Sequence, residues 1–216
     1  MFVTLEGLEG SGKSTLLAGL AARLEAAGHC VLRTREPGGS ALGREVRALL
    51  LRADSDVTPE AELFLFLADR AQHVTRVIRP ALARGEVVLC DRYVDSTLVY
   101  QGAGRGLDSD ALRRLCDLAT GGLRPDATLM LDLDVRIGLA RAASRHAAEN
   151  TLASEGRFEE ESTAFHQRVR RGFLRLAEQD SERISLVDAS LAPEAVLEAA
   201  WSVLAGKGLT GRGPAA

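Results

Sequence analysis

Five short apolar runs punctuate the chain, at residues 2–5, 30–32, 87–90, 128–133 and 184–187. Each is continuous rather than alternating and rich in aliphatic or β-branched residues, the pattern of a strand buried on both faces. Between them, apolar residues recur at helical spacing over 13–27, 42–51, 59–83, 108–120, 135–144, 158–178 and 193–204. This alternation predicts an α/β fold: a five-stranded parallel sheet with helices on both faces, and ligands beyond the carboxyl ends of the strands. Pro37-Gly38-Gly39 stops the second run, Gly85 ends the long helix, and Asp108-Ser109-Asp110 offers caps for the next. From Arg145 to Gly156 the pattern lapses into polar and small residues, which reads as a mobile surface loop. The Gly- and Pro-containing stretch 206–216 reads as a disordered tail. A single domain over 1–205 is expected, with a lid at about 141–157.

Bulk properties narrow the partners. With 216 residues the chain is long enough to bury a sizeable core, and 46% apolar against 26% charged residues excludes wholesale disorder. The net charge of −3, from 27 basic and 30 acidic residues, gives no general drive toward nucleic acid or membrane, so anion chemistry must come from local arginines. Cys30, Cys90 and Cys116 are scattered without a C-x-x-C or paired histidines, which reads as buried or half-buried thiols in a reducing compartment. Glu6 interrupts the first apolar stretch and no long apolar run exists, so a soluble cytoplasmic protein is expected.

The chemistry starts at Gly7-Leu8-Glu9-Gly10-Ser11-Gly12-Lys13-Ser14, directly behind the first run and followed by Thr15 and a helical pattern. The spacing G-x-x-x-x-G-K-S is that of a phosphate-binding loop. Its glycines permit backbone conformations that turn successive N–H groups inward, and the following helix points its positive end at the same anion. Lys13 reaches the β/γ-phosphates and the Ser14 hydroxyl ligates Mg²⁺ in such loops, so a bound nucleoside triphosphate is expected. Asp91, after the third run, stands where a second metal-sphere carboxylate belongs, directly or through water, and Arg92 beside it projects into the same crevice. A solvated rim pair is the plainer reading of those two residues.

G-L-E-G-S-G-K-S, T-R-E-P-G-G from Thr34, F-L-A-D-R from Phe66, D-R-Y-x-D-S-T-x-x-Y-Q-G from Asp91 and R-F-E from Arg157 occur in this order. Together they resemble the bacterial thymidylate kinase family, over about residues 2–200. The resemblance implies a P-loop kinase fold with a mobile lid and transfer of the ATP γ-phosphoryl to dTMP with Mg²⁺, giving dTDP for dTTP synthesis. It also implies a homodimer of packed helices. By position, the loop from Gly7 to Thr15 holds ATP, and Phe66 stacks on thymine while Arg70 bonds a base carbonyl. Ser96, Thr97 and Gln101 surround the acceptor, and Tyr100 crowds the sugar 2′ position. Glu36, Pro37, Arg47 and Arg92 lie near the acceptor phosphate, with Glu36 also near the metal. Glu9 is accompanied in bacterial members by lid arginines, here Arg141, Arg145 and Arg157; which of them reaches the phosphoryl group stays open.

Physical reasoning supports part of this set. Phe66 and Arg70 are i and i+4, hence on one side of a helix. Ordinary core packing for Phe66 and a surface salt bridge to Asp69 for Arg70 are the plainer alternatives. Glu159-Glu160-Glu161 reads as a solvated helix start, where negative charge suits the dipole. Competing functions are a kinase for a different acceptor and a triphosphate-hydrolysing switch.

Overall fold

Five parallel strands, β1 (Phe2–Gly7), β2 (Val31–Arg35), β3 (Val87–Asp91), β4 (Ala127–Asp132) and β5 (Ile184–Asp188), form one sheet in the order β2-β3-β1-β4-β5. The computed structural model describes residues 1–149 and 151–208, the side chain of residue 152 excepted. The central strands are closed to water almost throughout, as their unbroken apolar runs require. The edge strands β2 and β5 are partly exposed instead, because helices cover less of a sheet's margin.

The helices are α1 (Lys13–Ala26), α2 (Ala41–Leu51), α3 (Pro59–His73), α4 (Arg79–Ala83), α5 (Val94–Thr97), α6 (Ser109–Thr120), α7 (Val135–Glu149), α8 (Leu152–Glu155), α9 (Thr163–Gln179) and α10 (Pro193–Gly206). Side chains of β1 alternate between two cores. Val3 and Leu5 meet α1 and α10 through Leu16, Leu20, Leu24, Ala200 and Leu204. Phe2 points the other way, against Val74, Ile78 and Tyr93, so Thr4 and Glu6 are carried into the same buried side. On that side Met130 and Ile184 pack against Phe165, Val169 and Phe173 of α9. Each such side chain, fully buried, contributes about 1.5–3 kcal/mol.

Several expectations need correction. The stretch 59–83 is not one α-helix: a wide π-helical segment, Val74–Ile78, joins α3 to α4. Pro80 supplies the reason, since its ring has no N–H and crowds the carbonyl four residues back. The residues after Asp91, unread in the sequence as a helix, form α5 and a second π-helical segment, Leu98–Gly104. The expected loop from Arg145 onward is largely helical. α7 runs to Glu149, held by buried Ala142 and His146, and α8 follows. α9 begins at Thr163 because the Ser162 hydroxyl caps the Phe165 N–H at 3.2 Å. Glu159 and Glu161 therefore precede the helix and pair with cations rather than serving its dipole. At the other end α10 continues to Gly206, and the tail expected beyond it falls, from residue 209, outside the described residues. Cys90 and Cys116 are buried, whereas Cys30 is exposed.

Candidate active site

Sheet order decides where the site lies. β1 and β3 are neighbours, so the loop after β1 and the segment after β3 open side by side at the carboxyl edge. Between them and the far side of α3 runs one cavity of about 800 Å³.

The phosphate loop forms its first wall. Gly10 has φ +70° and sits so tightly against α7 that a Cβ would come within 2.1 Å of the Gly138 carbonyl oxygen. α1 starts at Gly12 with neither a side-chain cap nor an acidic first turn, so its N–H groups remain available to an anion. Lys13 folds back on the loop, its ammonium donating to the Leu8 carbonyl at 2.7 Å and the Gly7 carbonyl at 3.1 Å. Burial, reinforced by the Arg92 charge, lowers Lys13 to about 8, although Asp91, Glu9 and Glu6 pull the other way. Gly7 and Leu8 do not line the cavity; Leu8 is packed in the core, so only their carbonyls serve the site.

Asp91 and Arg92 stand at the centre. The Ser14 hydroxyl faces Asp91 Oδ2 at 3.5 Å, while Asp91 Oδ1 is buried without a hydrogen-bond partner. Two hard oxygen donors with one carboxylate oxygen left open fit a small dication such as Mg²⁺. Glu36, expected beside the metal, accepts from Arg70 Nε through Oε2 at 2.7 Å and meets His73 Nδ1 through Oε1 at 2.9 Å. Each oxygen keeps a further lone pair, and Glu36 lines the cavity while orienting Arg70.

Among the described residues Arg92 alone, glycines apart, has a positive φ, +70°, a conformation that costs free energy and aims its side chain across the cleft. Its Nη2 donates to Glu9 Oε1 at 2.7 Å and to the Tyr100 hydroxyl at 3.2 Å, and its Nη1 donates to Ser96 Oγ at 3.0 Å. The Tyr100 hydroxyl also donates to Glu9 Oε1 at 2.7 Å. Burial works to raise Glu9, but the Arg92 and Lys13 charges and this hydrogen bond hold it below the ordinary carboxylate range. Glu6, missed in the sequence, anchors the segment from beneath by accepting from the Tyr93 N–H at 2.7 Å and Ser96 Oγ at 2.6 Å. Burial and the nearby Asp95 push it up to about 7. Only the period-2 geometry of β1 signalled that it would point inward.

The second wall is aromatic. Phe66, on α3, lines the cavity with Phe158 6.2 Å away, and Phe158 meets Tyr100 edge-on at 5.7 Å. Arg70 is 1% exposed and donates to Thr97 Oγ1 and the Tyr93 carbonyl, both at 2.9 Å. The expected partner Asp69 does not bind it; Asp69 accepts from the Gly38 N–H at 3.3 Å instead. Gln101 reaches the cavity wall while donating to Glu62 Oε1 at 2.8 Å. Pro37, Arg47, Arg141 and Arg145 line the cavity as expected, and Ser11, Gly12 and Thr15 do so beside the loop.

Arg157 does not. It donates to the Leu50 carbonyl at 2.9 Å and to Glu62, which is fully buried and also holds Arg105. It therefore fastens the chain before α9 to α3, and the sequence could not distinguish this partner from a phosphate. Arg35, Phe158, Glu155 and Glu159 line the cavity without having been singled out as site residues, although Arg35, Phe158 and Glu159 sit inside the quoted motifs.

Comparison with known proteins agrees with this geometry. The family model described as thymidylate kinase matches residues 5–200. The chain is 60% identical over 198 residues to the thymidylate kinase of Desulfovibrio desulfuricans, covering 91% of each chain. It is 57% identical over 205 residues to that of Solidesulfovibrio magneticus, covering 94% of this chain and 98% of the other. The crystal structure of thymidylate kinase from Ehrlichia chaffeensis superposes with a TM-score of 0.75 at 33% identity, covering 95% and 98%. With the match spanning the phosphate loop, the Asp91-Arg92 pair and the aromatic wall alike, the chain belongs to the thymidylate kinase family.

Proposed function

We propose that this chain transfers the γ-phosphoryl group of ATP to dTMP, forming dTDP. The observation that carries the reading is a single cavity with a phosphate loop at one end, an aromatic slot at the other and Arg92 between them. The loop amides and Lys13 hold the donor phosphates, and Ala189, Leu191, Pro193 and Val196 offer the purine an apolar wall beside Arg141. Thymine stacks on Phe66 with Arg70 at its edge and Ser96, Thr97 and Gln101 around it. Tyr100, pinned by Glu9 and three phenylalanine rings, is a rigid wall against a 2′-hydroxyl.

The reaction needs little covalent help from the protein. A phosphate monoester is largely ionised at neutral pH, so the acceptor oxygen is nucleophilic without a general base. What remains is in-line alignment and neutralisation of charge on the transferred group. Arg92 supplies both, its guanidinium bridging donor and acceptor while Glu9, Tyr100 and Ser96 fix its direction. Ser14 and Asp91 would hold Mg²⁺, which when bound neutralises the triphosphate oxygens. Arg141 and Arg145, on a lid at about 141–157 of a single domain spanning 1–205, add positive charge over the donor.

Two further elements belong to the same proposal: a homodimer, supported by Phe64 on α3, 59% exposed, and a cytoplasmic location. Among the described residues no helix is long and apolar enough to cross a membrane. The test is ADP release measured across dTMP, dUMP, CMP, AMP and thymidine as acceptors. Turnover highest with dTMP supports the proposal, and a higher rate with any other acceptor overturns it.

A further inference from the structure

We propose that Glu155 is a built-in competitor that occupies the Arg47 guanidinium until an acceptor bearing a phosphate displaces it, and so sets how tightly the acceptor phosphate is held. The inference rests on the phosphoryl-transfer reading above. Arg47 Nε donates to Glu155 Oε1 at 3.1 Å and Nη2 donates to Oε2 at 3.0 Å, two near-parallel bonds, while Nη1 is held by the Pro37 carbonyl at 3.2 Å. A guanidinium fork binds a carboxylate and a phosphate through the same pair of oxygens, so the Glu155 carboxylate imitates the group the acceptor would bring. Both residues line the cavity, with side chains 20% and 40% exposed, so an incoming anion reaches the pair without disturbing the core.

The local field favours the exchange. Burial works to raise the Glu155 carboxyl, yet Arg47, with Arg35 and Arg145 behind it, holds it below the ordinary range. Three guanidiniums thus surround Glu155, although Arg145 also pairs with Glu159 at 3.4 Å. A monophosphate carries close to two negative charges at neutral pH and gains more from the same field. An unphosphorylated nucleoside brings none, so Glu155 stays in place against it. The competitor thus weakens binding of an acceptor phosphate and leaves the affinity for a nucleoside unchanged, a difference the aromatic slot does not make. The alternative is a surface ion pair that merely tethers α8 to α2.

The experiment uses the full chain. dTMP turnover by the unmodified enzyme is measured first; its absence sinks the phosphoryl-transfer reading rather than this one. In Glu155→Gln and Glu155→Ala, KM and Kd for dTMP should fall about two- to fivefold, the range expected for a partly exposed ion pair. The Kd should also depend more steeply on salt than in the unmodified chain, because phosphate then neutralises an unpaired arginine. The affinity for thymidine, read as inhibition, should stay constant. An unchanged or raised KM for dTMP overturns the proposal, as does a parallel shift in thymidine affinity. Collapse of the fold in both variants also overturns it, since a pair that each acceptor phosphate breaks cannot be what holds the fold.

Discussion

Replacing Arg157 by alanine separates an anchoring arginine from a catalytic one. Its side chain is 10% exposed and donates to Glu62, which is fully buried, and to the Leu50 carbonyl. Removing one side of a buried ion pair costs about 3–5 kcal/mol. Glu62 keeps Arg105 and Gln101, so the lower figure applies, and the carbonyl left unpaired adds to it rather than offsetting it. In a domain of this size each kcal/mol moves Tm by about 2–4 °C, so a fall of roughly 6–12 °C is expected. Phe158 follows Arg157 directly, and Phe66 lies one turn beyond Glu62 on α3, so the aromatic slot loosens as well. KM for dTMP should rise several-fold while kcat changes by less than about tenfold, since no contact to the transferred group is lost. Circular dichroism melts and steady-state kinetics on the same preparation measure both. A Tm within about 1 °C of the unmodified chain, together with a kcat loss of a hundredfold or more, would refute the reasoning and return Arg157 to the phosphoryl group.

Arg92→Ala should lower kcat/KM by about 10³ with the melting transition retained, as for loss of a group aimed at developing charge; turnover near the unmodified rate would remove Arg92 from the mechanism. Lys13, lowered to about 8, loses its charge as pH rises through that value, so ATP affinity of the free enzyme should weaken between about pH 7 and 9; a flat profile by calorimetry contradicts the assignment. Glu6 is raised from 4.5 to about 7, so the folded chain binds the extra proton between these values. Its stabilising contribution is complete below pH 4.5 and is lost as pH rises to about 7. Glu6→Gln should therefore flatten the denaturant-measured stability profile over that interval, and an unaltered slope excludes Glu6 as its source.

The order of strands and helices and the phosphate loop were legible in the chain because each rests on short-range rules, whereas Arg47, Ser96, Thr97, Tyr100 and Gln101 were placed by the family resemblance. Period, glycine placement and the G-K-S spacing act within a few residues. Phe66 and Arg70 also came from that resemblance, their i, i+4 spacing adding only that they share one side of a helix. The identity of a charge's partner is not short-range information. Arg157 and Glu62 are 95 residues apart, Arg47 and Glu155 108, and Arg70 and Glu36 34. Any arginine in the list of candidates had equal title to a phosphate until the sheet order brought particular carboxylates within reach. Tertiary structure thus gave Glu36 to Arg70 and His73, and Arg157 to Glu62 and the Leu50 carbonyl. It also added Glu6, placed beneath Arg92 because alternate residues of a central strand face one core and the next strand brings Tyr93 and Ser96 over it.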